Sequence, residues 1–108
     1  MIVYLLGKSP FEYRCIESYL DLGERQSRAG ADVRVVFLHG GTLVARKNNR
    51  FEERLRKLVA SGVKLYLRKE DLEARAIDSE SMNHIASPIN TLELMKLAAQ
   101  SDTLVSVI

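Results

Sequence analysis

Apolar residues fall along this chain in short, nearly unbroken runs separated by stretches with helical spacing. Ile2-Val3-Tyr4-Leu5-Leu6 is the first run, Val33 to Leu38 the second, and Thr103 to Ile108 the last. Val63-Lys64-Leu65-Tyr66-Leu67 alternates in part and predicts a third strand, and His84-Ile85-Ala86 is a candidate for a short fourth. Strands that are apolar at every position are buried on both faces, as in a parallel sheet covered by helices. The intervening segments supply those helices. Pro10 to Ala29 carries Phe11, Cys15, Tyr19 and Leu22 on one stripe, with Ile16 and Leu20 beside it, and Gly30 stops it. Arg50 to Ser61 carries Phe51, Leu55, Leu58 and Val59 before Gly62. Thr91 to Gln100 carries Leu92, Leu94, Met95 and Ala98 behind a cap at Asn90 or Thr91, and Glu70 to Ala76 reads as one further helical turn. Strand and helix alternate, so right-handed crossovers follow: a single α/β domain over residues 1–108, with a mostly parallel five-stranded sheet flanked by helices. Asp78 to Pro88 has no regular period and fits a surface loop, a flap or an interface segment.

The junction after the first strand carries the densest local signal. In Gly7-Lys8-Ser9-Pro10-Phe11-Glu12, Ser9 suits an N-cap, Pro10 the first helical position, and Glu12 the acid of a capping box. This predicts a helix opening directly behind the strand, at the sheet edge where α/β proteins place ligand-facing groups. Lys8 and Ser9 are therefore candidates for holding an anion. His39-Gly40-Gly41-Thr42 follows the second strand and reads either as a turn that needs positive φ or as another wall of the same pocket. It resembles an esterase oxyanion loop, yet no G-x-S-x-G elbow accompanies it. Phosphate-loop and dinucleotide fingerprints are absent as well.

Composition narrows the chemistry further. Across 108 residues, 46% are hydrophobic, 28% are charged, and the net charge is +2, too small by itself to imply nucleic acid. The density of Arg, Lys and Glu is a weak hint of a thermophile. No run approaches the roughly 20 apolar residues of a membrane span, and no leader pattern precedes the first strand, so a cytoplasmic location is expected. Cys15 is the only thiol, hence the only sulfur nucleophile, and its place on the stripe with Phe11 and Tyr19 predicts a small buried core residue. His84 stands alone, with no metal-ligand cluster around it and no cofactor motif elsewhere. Arg46, Lys47, Arg50, Arg54, Arg56 and Lys57 form the densest basic region. With no aromatic platform interleaved, it reads as a solvated helix face more readily than as an RNA surface.

The order Lys8-Ser9-Pro10-Phe11-Glu12, then Val35 to Gly41, then Gly62 to Leu67 followed by Glu70-Asp71-Leu72-Glu73-Ala74-Arg75, then Leu92 to Ile108, resembles the DsrE/DsrF/DsrH-like family. Its DsrH and TusB branch is the nearest match. The resemblance implies a DsrE-like, flavodoxin-like layering and a subunit of homo- or hetero-oligomers with other DsrE-like proteins. It also implies a sulfur-relay role, in tRNA 2-thiouridine synthesis or sulfur oxidation, with a sulfur-carrier protein as a possible partner. The family's sulfur-carrying cysteine usually follows the third strand, where this chain has Arg68 and Lys69, and Gly40 stands where Asp is common. The expectation is an accessory, non-catalytic subunit. A persulfide sulfurtransferase using Cys15 and a module binding a small anion or RNA are the alternatives.

Overall fold

The computed structural model describes all 108 residues. Five strands form one sheet: β1 (Ile2–Leu6), β2 (Val33–Phe37), β3 (Lys64–Arg68), β4 (Ser87–Ile89) and β5 (Thr103–Val107). Their order is β4-β3-β2-β1-β5, and every neighbouring pair is parallel. The helices are α1 (Cys15–Arg28), α2 (Glu52–Ala60), α3 (Lys69–Ala74) and α4 (Thr91–Gln100), with a 3-10 helix over His39–Ala45.

The unbroken apolar runs are explained by two cores of unequal size. On one face, Tyr4, Leu6, Val35, Phe37 and Leu67 pack against Ile16 and Leu20 of α1, Leu55 and Leu58 of α2, and Leu72 of α3. On the other, Val3, Leu5, Val36 and Leu38 meet the buried Leu97 of α4, with Leu94 of the same helix, Met1, Tyr66 and Ile89 partly buried around them. Right-handed crossovers produce this division, because the chain steps outward from β1 to β4 and then returns across the sheet to β5.

Three expectations are corrected. The first helix opens at Cys15, not Pro10. The cap signature at Ser9 is used up in a separate turn, in which the Ser9 carbonyl accepts from the amides of Glu12 (3.1 Å) and Tyr13 (2.9 Å). Phe11 then turns away from the α1 stripe onto Phe51, edge to face at 4.8 Å. The helix restarts one position out of register, so Ile16, Leu20, Gly23 and Glu24 are buried while Cys15 and Leu22 are exposed. Cys15 is thus no core residue, and native protein is expected to alkylate fully at this thiol without denaturant; protection until unfolding would contradict the exposure.

The fourth strand lies at Ser87–Ile89, not His84–Ala86. Pro88 is tolerated there because β4 is an edge strand. The 78–88 segment is anchored and is not a flap. Met82 and Ala86 are buried in the larger core, the Asn83 amide donates to the Ala45 carbonyl (2.8 Å), and the Asn83 side chain donates to those of Val44 and Arg46.

Other boundaries follow the local signals. Asn90 caps α4 by accepting from the Glu93 amide (2.8 Å), while Glu93 reaches back to the Asn90 amide.

Between α1 and α2, Glu24 accepts from Arg54 (3.1 Å), Arg28 and Ser61, and Arg54 also pairs with Asp21. Burial pushes the Glu24 carboxyl up, but Arg54, with Lys57 and Arg28 behind it, overrides this and holds it below the usual range. A depressed folded-state pKa gives stability that is present above the ordinary glutamate range and lost as pH falls through the lowered value. Arg54→Met strands a largely buried carboxylate and is expected to cost about 1–2 kcal/mol at neutral pH. Its acid-unfolding profile is expected to flatten, as measured by urea titrations across pH.

Candidate functional site at the carboxyl edge of the sheet

The residues singled out after the first two strands come together at the carboxyl ends of β1 and β2. The Leu38 amide donates to the Leu6 carbonyl (3.1 Å), so the 3-10 helix begins directly beside the Gly7-Lys8-Ser9 turn. The packing is so close that a Cβ on Gly41 would overlap the Leu6 carbonyl oxygen, whereas one on Gly40 would make only ordinary contact with Ser9. Glycine is needed at position 41 for approach, not for positive φ. The left-handed residue in this turn is His39, at φ 49°. Its amide donates to the buried Asp71 carboxylate at 2.9 Å, and its carbonyl accepts from the Thr42 hydroxyl at 2.7 Å. Those two bonds offset the cost of a left-handed non-glycine, which is on the order of 1–2 kcal/mol.

Asp71 was not among the expected site residues, although it opens the Asp71-Leu72-Glu73-Ala74-Arg75 segment. It links three elements: Arg75 lies 3.5 Å from one carboxylate oxygen, and Arg68 lies 3.7 Å from the oxygen that holds His39. Arg68 also donates to the Thr91 hydroxyl (3.2 Å). The Thr91 amide and hydroxyl both donate to Glu70, holding its carboxyl below the usual range. Arg68 therefore closes the end of β3 onto the start of α4. Lys69 is exposed and unpaired, and Lys8 lies 4.9 Å from the centre of the Tyr13 ring.

The chain leaves β1 toward β2 on one side and returns to β5 on the other, which makes the β1–β5 boundary the place where open α/β sheets usually bind ligands. At that boundary the chain packs closely around Gly7. The His39 Nδ1 and the Ile108 Cα each stand 3.2 Å from where a Cβ on Gly7 would lie. Four cavities exist in the molecule, and none is lined by Lys8, Ser9, His39, Gly40, Gly41, Thr42, Arg68 or Lys69. Ser9 is buried, with its hydroxyl accepting from the Phe11 amide. Cys15 makes no side-chain hydrogen bond and lines no cavity. The arrangement is a lock that fixes the sheet edge, with the His39 backbone and the Arg68 guanidinium held in place and no thiol among them. No group of three or more His, Cys, Asp and Glu side chains is placed to hold a metal ion, and no helix is long and apolar enough to cross a membrane.

A fold of this shape defines a class of small α/β domains with an all-parallel five-stranded sheet, and the comparisons with known proteins place the chain within it. The DsrH-like protein family matches residues 8–104, and the chain belongs to that family. Among solved structures, the ychN protein from E. coli superposes with a TM-score of 0.87 at 17% identity, covering 98% of this chain and 97% of that one. The protein of unknown function MTH1491 from Methanobacterium thermoautotrophicum gives 0.75 at 12% identity, covering 98% and 96%. The conserved protein of unknown function BT1422 from Bacteroides thetaiotaomicron gives 0.79 at 6%, covering 98% and 94%. At these identities the likeness is one of fold. No curated protein matches the sequence.

Proposed function

We propose that this protein is an accessory subunit of a sulfur-relay complex, contributing an interface to subunits of its own fold instead of carrying sulfur itself. The observation that carries this reading is an apolar surface on the thinly covered face of the sheet. Leu92 and Met95 of α4 are each 60% exposed, and Leu104 of β5 and Ile108 beyond it are 47% and 60% exposed. The periodicity of α4 places these side chains on an apolar stripe, yet only Leu97 is buried by the chain itself. Beside them, β5 is an edge strand with no charge, proline or bulge, so its free backbone groups lack the usual protection against pairing. The sulfur-relay association comes from the family, and the Arg68-Lys69 pair where the family usually has its cysteine supports the non-carrying role.

Sedimentation velocity tests the interface. The chain is expected to sediment as a dimer or larger at micromolar concentration, and a Leu92→Asp/Met95→Asp variant as a folded monomer. A wild-type chain that stays monomeric would remove the interface. The exposure of Cys15 favours one second reading, a sulfurtransferase using that thiol.

A further inference from the structure

The turn that displaced the start of α1 builds a surface on the opposite side of the molecule from the α4 face. Phe11 and Phe51, forty residues apart in sequence, meet edge to face at 4.8 Å, and the Arg50 guanidinium carbon lies 5.4 and 5.0 Å from their ring centres. Phe11 is the shared wall of two cavities. One, of about 560 Å³, runs between the turn, the first residues of α1 and the start of α2. The other, of about 300 Å³, is bounded by Leu43, Arg46, Lys47 and Asn49 and contains no acid. A third, of about 280 Å³, continues past Arg50 and Arg54 to Lys57.

Most cations along this track have no carboxylate partner, although Arg50 lies over the two rings and donates to the Phe11 carbonyl. Arg54 is engaged by Asp21 and Glu24, but Arg14, Arg46, Lys47, Arg50 and Lys57 have no carboxylate within 4.0 Å. Glu12, Glu17 and Glu53 also line the groove and reduce its charge without neutralising it. Positive groups spaced along a groove, with an aromatic ring between them, match the needs of a flexible polyanion that carries its own planar groups. Phosphates seat on the cations and a base stacks on the ring. A rigid duplex offers no unstacked base to Phe11.

We propose that the groove from Lys47 past Phe11 to Lys57 binds single-stranded nucleic acid, with a base against Phe11 and phosphates on Arg46, Lys47 and Arg50. In this proposal Phe11, from a distant part of the chain, serves as the aromatic platform that the basic segment does not interleave. Fluorescence anisotropy with labelled oligouridine, oligothymidine and a duplex of equal length tests it on the full chain. Saturable binding to single strands is expected, weakening with salt at a log–log slope near −2 if about three phosphates are neutralised. Arg46→Glu/Lys47→Glu is expected to weaken binding roughly ten-fold or more and flatten that slope. Phe11→Leu is expected to weaken it about ten-fold with the slope unchanged, because stacking and not charge is lost. The charged residues exchanged are exposed, and a thermal melt confirms folding of the Phe11 variant. The Leu92→Asp/Met95→Asp monomer is expected to bind like wild type, which separates this site from the subunit interface. Absence of saturable binding, equal affinity for duplex, or indifference to the Arg46/Lys47 exchange would overturn the proposal.

Discussion

Gly41→Ala is expected to destabilise the protein by about 3 kcal/mol, and the variant fails to fold if the edge cannot relax. The added Cβ has nowhere to go. It overlaps the Leu6 carbonyl oxygen, and that oxygen is fixed because it accepts from the Leu38 amide between β1 and β2. Relief requires moving either the 3-10 helix, whose Val44 and Ala45 are fully buried, or β1, which is held between β2 and β5. Gly30→Ala serves as the contrasting exchange, since its cost comes from a φ of 100° with open space around the Cβ. Reversible urea unfolding of both variants gives the comparison. A loss below 1 kcal/mol for Gly41→Ala would mean that the two strand ends are not packed as described.

Removing Asp71 is the second large effect. Asp71→Ala leaves the half-buried His39 amide without its acceptor and deprives Arg68 and Arg75 of their shared carboxylate. A charge-assisted bond at a buried position, lost with its partners left in place, costs about 2–3 kcal/mol. Asp71→Asn keeps an oxygen for the His39 amide and gives up only the charge, so about half of that loss is expected. The ordering separates the two roles. Equal losses for Ala and Asn would assign the whole effect to the ion pairs, and no loss in either would show that His39 holds its left-handed conformation by itself.

β1 and β2 were readable in the sequence because burial on both faces demands uninterrupted apolar runs, and they appear within a residue of their expected limits; β5 appears within a residue of its limits too, but as a largely exposed edge strand. The capped start of α4 was equally plain, since Asn90 and Glu93 satisfy each other locally. What was not readable depends on contacts between distant residues. Ser9, Pro10 and Glu12 carry a helix-opening signature that a tight turn satisfies equally well, and only the docking of Phe11 on Phe51 decides between them. Beside that contact α1 opens at Cys15, which lies at the surface. The β4 strand was hidden because Pro88 looks like a break, whereas the more apolar His84-Ile85-Ala86 triplet anchors the segment to the core. His39 to Thr42 were correctly grouped with Lys8 and Ser9 at one edge. Asp71, which fixes that edge, lies one element further along the chain and announces itself only by its spacing to Arg75.

The role as a subunit that does not carry sulfur is tested most directly by the intact mass of the native protein after incubation with a stoichiometric persulfidated sulfur-carrier protein, beside Cys15→Ser. The expected result is an unchanged mass in both proteins, with Cys15 still open to alkylation. A gain of one sulfur atom on wild type alone, reversed by reductant and transferable to a second thiol, would contradict the account and make Cys15 a carrier.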